Sequence, residues 1–150
     1  MKNLYNHLMY EFTPEHINNK MKNEGDVVLA RKTFLNEKNN NLEFLLYKRF
    51  NWMNRYIKKG SNVIDLGSGA GLIEFFIEEK ILLTDVKMQD FIHKKIDALN
   101  IDLPDNSVDV FICSHMIHHI SHPVKFLKSL EKKLVDGGLI LVQDINTSFF

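Results

Sequence analysis

The sequence has 150 residues, of which 45% are hydrophobic, so its length and composition predict one domain with a packed core. The 19 basic and 19 acidic residues cancel, which gives no support to a nucleic acid as an electrostatic partner. No apolar run reaches the roughly 18 residues of a membrane span, and no signal-peptide pattern opens the chain. The single cysteine forms no internal disulfide, and we predict a cytoplasmic protein without membrane contact.

Residues 1–61 carry helix signals and no motif that we can assign to a function. A spacing of four between Leu4, Leu8 and Phe12 suits a short helix. Capping and helix-ending residues predict three further helices near 13–25, 26–36 and 41–58, with Asp26 and Asn41 capping the last two. We expect this segment to be an N-terminal helical extension, packed as a lid on the same domain.

From residue 62 onward, short apolar runs alternate with helical or irregular segments. The runs predict five strands, at Val63–Leu66, Ile81–Asp85, Lys95–Asp97, Val108–Cys113 and Leu139–Asp144. Helices are predicted at 72–79 and 124–135. This alternation predicts an α/β fold, a doubly wound, mostly parallel Rossmann-like sheet of order 3-2-1-4-5 over residues 62–150. Ligands of such sheets bind at the carboxyl ends, near the switch between strands 1 and 4.

The stretch NVIDLGSGAG, residues 62–71, joins the first predicted strand to a helix start. Its glycines let the backbone come close to a ligand, and the helix start offers free N–H groups. The candidate binding residues are Asp65, Gly67, Ser68, Gly69 and Gly71. Their D-x-G-x-G-x-G spacing differs from the dinucleotide pattern G-x-G-x-x-G, and the lysine of a P-loop is missing. Because a carboxylate opposes phosphate, Asp65 favours a ligand that carries a positive charge.

A second carboxylate, Asp85, ends the second predicted strand and is followed by Val86. At this place a carboxylate accepts hydrogen bonds from the two ribose hydroxyls of a nucleoside. The signal is compatible with NAD as well as with other nucleosides.

Four segments in order resemble the class I S-adenosylmethionine-dependent methyltransferases that act on small molecules. They are the glycine stretch, Asp97–Ala98 with the following LPDNSVD, the Ser114–His119 segment, and Leu134–Leu139 before the last strand. The resemblance covers 62 to about 143 and implies S-adenosylmethionine as cofactor. It also implies that Asp97 accepts from the adenine amino group, that the Ala98 N–H meets a ring nitrogen, and that Ser114 lies near the methionine end.

The region after the fourth predicted strand is rich in histidine. It contains Cys113, His115, His118, His119 and His122. We predict no metal site, because Cys113 belongs to a strand interior and paired zinc-ligand spacings are missing. His119 is expected to pack or to cap a helix, while His115 and His118 are candidates for a general base facing the substrate.

These observations predict methyl transfer from S-adenosylmethionine to a small-molecule acceptor, with an oxygen, nitrogen or carbon nucleophile all open. Class I methyltransferases normally continue with two more strands, so we expect a chain truncated after strand 5, a minimal variant, or a partner on the strand-5 edge, such as a second copy. The alternatives are a non-catalytic S-adenosylmethionine- or nucleotide-binding module, an inactive fragment, and, less favoured by the loop spacing, an NAD-dependent oxidoreductase.

Overall fold

A computed structural model describes residues 25–37 and 39–145, and the helices predicted within 1–24 lie outside this part. The first described helix, α1, spans Val27–Asn36, and the second, α2, spans Asn40–Phe50. The Asp26 side chain caps α1 as predicted, accepting from the Leu29 N–H at 2.9 Å.

The second helix differs from its prediction at both ends. Asn39 rather than Asn41 caps it, accepting from the Leu42 N–H at 3.0 Å. It ends at Phe50, and a 3-10 helix at Asn51–Arg55 replaces its last turns.

In the described part of the chain, five strands form one sheet of order β3-β2-β1-β4-β5, and every neighbouring pair is parallel. The strands are β1 Val63–Leu66, β2 Ile81–Asp85, β3 Lys94–Lys95, β4 Val108–Ser114 and β5 Leu134–Gln143. The predicted fold class and strand order are therefore confirmed. β1 lies at the centre, where the chain reverses its direction across the sheet and where α/β proteins bind ligands.

The predicted bounds of β5 and of the two helices in residues 62–150 are wrong, and glycines or tight turns lie at these places. β5 begins at Leu134, earlier than predicted, because a register shift between Val108 and Val110 lets it pair on both sides of Gly137, which has φ +76°. That early start limits the last helix, α3, to Pro123–Glu131. The helix predicted at 72–79 is a single 3-10 turn at Leu72–Phe75.

Side chains alternate across the strands and bury two apolar clusters, one on each face of the sheet. On one face Val63 and Val110 pack against Leu46, Phe50 and Met53 from α2 and the following turn. On the other face, strand residues pack against α3, with Ile64, Leu66, Phe111, Phe126 and Leu130 among them. Full burial of each such side chain contributes about 1.5–3 kcal/mol.

The face of α2 that meets the sheet is narrow. Only Leu46 and Phe50 are buried, whereas Leu45 is 62% exposed. The division into an extension at 1–61 and a core at 62–150 remains a prediction. None of the described helices is long and apolar enough to cross a membrane.

Candidate functional site

The loop after β1 turns through three left-handed glycines. Gly67, Gly69 and Gly71 have φ of +68°, +54° and +64°, which side chains rarely adopt. A Cβ on Gly67 would lie 3.1 Å from Met116 Cγ, and one on Gly71 would lie 2.8 Å from Leu83 Cδ1. The glycines therefore allow a compact loop that lies directly on the end of the sheet.

Ser68 and the buried Thr84 fix this loop across β1 and β2. The Ser68 hydroxyl donates to the Asp65 carbonyl at 3.2 Å and accepts from the Thr84 N–H at 2.9 Å. The Thr84 hydroxyl donates to the same carbonyl at 2.7 Å. The Ser68 side chain, predicted to touch the cofactor, is thus engaged within the loop of this structure.

Asp65 lies in a pocket of about 260 Å³ at the carboxyl end of β1. The pocket brings together six of the predicted site residues: Asp65, Gly67, Ser68, Gly69, Ser114 and His115. Asp65 is only 3% exposed, and this burial raises the pKa of its carboxyl to about 7, a hydrogen bond with Ser68 lowering it and the Asp85 charge raising it further. A bound cation would compensate the buried charge.

Asp85 lies at the tip of β2, beside the glycine loop. Its Oδ2 accepts from the Gly69 N–H at 3.0 Å, and its Oδ1 accepts from the Lys87 N–H at 3.1 Å. Each carboxylate oxygen keeps a lone pair for a further donor. Val86, the next residue, is 54% exposed.

Asp97 and Ala98 follow β3 at the same edge of the sheet but not in the pocket. The Asp97 Oδ1 accepts from the Leu99 N–H at 2.8 Å, which closes a turn. Ala98 is half-buried and lines a separate cavity of about 240 Å³, together with Phe126 of α3. Since neighbouring strands lie about 4.8 Å apart, the tips of β1 and β3 are separated by roughly 10 Å.

The histidine segment follows β4 on the other side of the pocket. His115 has φ +53°, and its Nε2 is buried without a hydrogen-bond partner in the described part of the chain. Burial, with a smaller contribution from the Arg49 charge, lowers the pKa of His115. His118 does not line the pocket, and its ring centroid lies 6.4 Å from that of His115.

The other residues proposed around this segment have different surroundings. His119, expected to be packed or to cap a helix, is exposed, with its ring centroid 3.9 Å from that of His118. Cys113 is fully buried, in the cluster on the face of the sheet away from the pocket. Within residues 25–37 and 39–145, no three His, Cys, Asp or Glu side chains converge as metal ligands would.

Arg31 of α1 contacts the glycine loop from outside, and sequence reasoning missed it. Its Nη1 donates to the carbonyls of Ala70 and Gly71 at 3.1 and 3.2 Å, and its Nη2 pairs with Glu74. Its guanidinium also lies 4.6 Å from the centroid of the Phe91 ring. Arg31 lies on the same side of α1 as Val27 and Phe34, which are half-buried, and a charge at this helical spacing between apolar residues was the available signal.

Two other missed residues lie near the pocket. Arg49, from α2, lines it together with Leu46 and Phe50. Asp144 follows β5 directly and accepts hydrogen bonds from His118. The rule that identified Asp85, a carboxylate at a strand tip, applies to Asp144 as well.

The described edge thus combines a buried carboxylate, a compact glycine loop and a second carboxylate with free lone pairs. This set fits a ligand with one positive charge and vicinal hydroxyls, because the carboxylates are acceptors only. It fits a pyrophosphate poorly, since Asp65 lies where the phosphate charge would be.

A family model described as a methyltransferase domain matches residues 39–150, three quarters of the chain and all five strands. The match begins just before α2, inside the segment predicted to be the extension. No curated protein matches the sequence.

Solved structures share the fold at low sequence identity. Phosphoethanolamine N-methyltransferase 1 of Haemonchus contortus, solved with phosphoethanolamine and S-adenosylhomocysteine, aligns with TM-score 0.58 and 18% identity over 91% of this chain and 34% of its own. A protein of Methanococcus maripaludis assigned as an S-adenosylmethionine-dependent methyltransferase gives 0.53 and 14%, over 88% and 64%. The [4+2]-cyclase SpnF gives 0.50 and 19%, over 68% and 43%.

The chain spans less than two thirds of the length of each of these neighbours, and the cyclase indicates that the fold alone does not determine the reaction. The family match is independent of the structural neighbours and covers the glycine loop, the strand tips and the histidine segment. The chain therefore belongs to this methyltransferase-domain family, with a Rossmann-like fold and S-adenosylmethionine as its cofactor.

Proposed function

We propose that this protein transfers a methyl group from S-adenosylmethionine to a small-molecule acceptor. The observation that carries the proposal is the buried Asp65 carboxylate in the pocket beneath the glycine loop. A carboxylate with a pKa of about 7 gains most from a fixed positive partner, and the cofactor brings an ammonium group.

Each part of the edge has a proposed role in holding the cofactor. Asp65 pairs with the ammonium, and the loop from Gly67 to Gly71 supplies close backbone contacts. Asp85 accepts from the ribose hydroxyls, with Val86 beside it. Asp97 and Ala98 take the adenine, and Ser114 lies near the methionine end.

Bound there, the cofactor supplies a methyl group that its sulfonium has already activated for transfer. The protein's contribution is to position the acceptor, exclude water and accept a proton, and positioning is worth about 7–11 kcal/mol at best. His118 and His115 are the candidates for the proton acceptor, because a neutral imidazole has one ring nitrogen with a lone pair that can take a proton.

A small-molecule acceptor agrees with the absence of a net charge. The Haemonchus contortus neighbour was solved with a small molecule of this kind, phosphoethanolamine. NAD-dependent hydride transfer is disfavoured, because Asp65 would face the pyrophosphate.

A thermal-shift panel with S-adenosylmethionine, S-adenosylhomocysteine, NAD and ATP tests the proposal. The first two compounds should raise the melting temperature, since a ligand that binds only the folded state stabilises it by mass action. Asp85→Ala should reduce that shift. The control is Asp105→Asn, a surface carboxylate paired with Lys133 in the turn before β4, which should behave like the wild type. A selective response to NAD or ATP would contradict the proposal.

A further inference from the structure

The histidine segment has a carboxylate partner, Asp144, which holds His118 at two points. His118 Nδ1 lies 2.6 Å from Asp144 Oδ1, and the His118 backbone N–H donates to Oδ2 at 3.1 Å. The N–H of Ile145 donates to Oδ1 at 2.7 Å. Both carboxylate oxygens are therefore fixed, and the imidazole ring is fixed with them.

These contacts determine which ring nitrogen of His118 carries the proton. Desolvation raises the pKa of Asp144, but hydrogen bonds from Ile145 and His118 outweigh it and lower that pKa to about 2. An ionised carboxylate only accepts hydrogen bonds, so Nδ1 must be the donor. In the neutral ring the lone pair then resides on Nε2, which no hydrogen bond engages within the part of the chain that is described.

The position of His118 suits a group that reacts at the rim of the pocket. Its ring stands perpendicular to that of His115, which lines the pocket, with 6.4 Å between the centroids. The side chain of His118 is 33% exposed, so an incoming molecule has access to it. His118 follows β4 and Asp144 follows β5, so both lie at the carboxyl edge of the sheet, where ligands of this fold bind.

We propose that Asp144 is a positioning residue that holds His118 as the general base for the proton of the acceptor. This inference rests on the proposed function. In the step, the nucleophilic atom of the acceptor gives its proton to Nε2 and uses the freed electron pair to bond the methyl carbon. The bond between the methyl carbon and sulfur breaks, and its electron pair stays on sulfur, so that S-adenosylhomocysteine leaves. The imidazolium later releases its proton to water.

Long-range proton–nitrogen NMR of the whole chain reads the tautomers of the histidines directly. We expect His118 to carry its proton on Nδ1 and to leave Nε2 bare. His93 is an internal control of opposite sense, because its Nδ1 accepts from the Leu83 N–H at 3.0 Å and its proton must lie on Nε2. A proton on Nε2 of His118 in the neutral ring would overturn the assignment.

The variant Asp144→Ala separates positioning from mere packing, with Asp105→Asn as the control. In Asp144→Ala the fixed tautomer of His118 should be lost, while S-adenosylhomocysteine affinity by calorimetry stays within about twofold, which also verifies folding. Asp144→Asn serves as a second variant if the alanine variant does not fold. A tautomer unchanged in the variant would contradict the proposal.

The rate is measured with deuteromethyl-labelled S-adenosylmethionine and the small-molecule fraction of a cell extract. Labelled methylated products should form about 100-fold more slowly in Asp144→Ala, a typical effect of losing an oriented base. Equal rates would overturn this inference alone. Absence of cofactor binding would instead contradict the proposed function, whatever the tautomer of His118.

Discussion

Replacing Asp65 with asparagine should stabilise the ligand-free protein at neutral pH and weaken its cofactor binding at the same time. Burial raises the pKa of the Asp65 carboxyl from 3.8 to about 7 in the folded protein. A difference of about three units corresponds to roughly 4 kcal/mol of unfavourable ionisation, at 1.36 kcal/mol per unit. Asparagine keeps the shape of the side chain and carries no charge.

The sign of the pH dependence follows from proton binding. Between pH 4 and pH 7 the folded state holds a proton on Asp65 that the unfolded state has lost, so stability falls as the pH rises. Above pH 7 the Asp65 carboxyl is ionised in both the folded and the unfolded state, and the full free-energy cost of its buried charge is present. The gain in unfolding free energy for Asp65→Asn over the wild type should therefore grow from pH 4 to pH 7, by up to about 4 kcal/mol, and then stay constant.

Urea unfolding of both proteins at several pH values measures this difference. Cofactor affinity should change in the opposite sense, falling by roughly a hundredfold or more in Asp65→Asn, because a buried charge loses its partner. In the wild type, affinity should also fall as the pH drops below 7, since the ligand must displace the proton. If Asp65→Asn and the wild type had equal unfolding free energies at pH 5 and again at pH 8, Asp65 would not be the buried, uncompensated carboxylate that we describe.

Two further substitutions test how the loop is held. Arg31→Leu removes two hydrogen bonds to the Ala70 and Gly71 carbonyls, so it should cost about 2–4 kcal/mol in urea unfolding and weaken cofactor binding in calorimetry. Arg55→Leu, an exposed arginine outside the site, is the control, and equal effects of the two would contradict a special role for Arg31. Gly71→Ala should cost about 1–3 kcal/mol, because its Cβ would meet Leu83 at 2.8 Å with φ +64°. Gly60→Ala, with a similar φ and open space around it, should cost less, and a smaller loss at Gly71 than at Gly60 would show that the loop is not tightly packed.

The fold was readable from the sequence because its signals are local and strong. Runs such as Val63–Leu66 and Ile81–Asp85 are short, apolar and bounded by polar or glycine residues, and both strands are found with these bounds. Handedness then leaves few arrangements of the sheet. The errors occurred where contacts between distant segments set the ends of an element. β5 starts early, at Leu134, because it pairs with β4 on both sides of Gly137, a residue whose local signal is that of a turn.

The candidate site was predictable as far as backbone position determines it. A carboxylate at the tip of a parallel strand points to the ligand edge, which identified Asp65 and Asp85. Contacts between distant segments are not encoded in any local pattern. The hydrogen bonds of Arg31 to the glycine loop join residues about forty positions apart. The pairing of His118 with Asp144 depends on the register of β4 against β5.

A crystal structure of the protein with S-adenosylhomocysteine would show where the cofactor binds. We expect the amino group at Asp65 beneath the glycine loop, the ribose hydroxyls on Asp85, and the adenine beside Ala98. Density for the ligand anywhere other than the carboxyl edge of β1, β2 and β3, or a ribose without contact to Asp85, would contradict it.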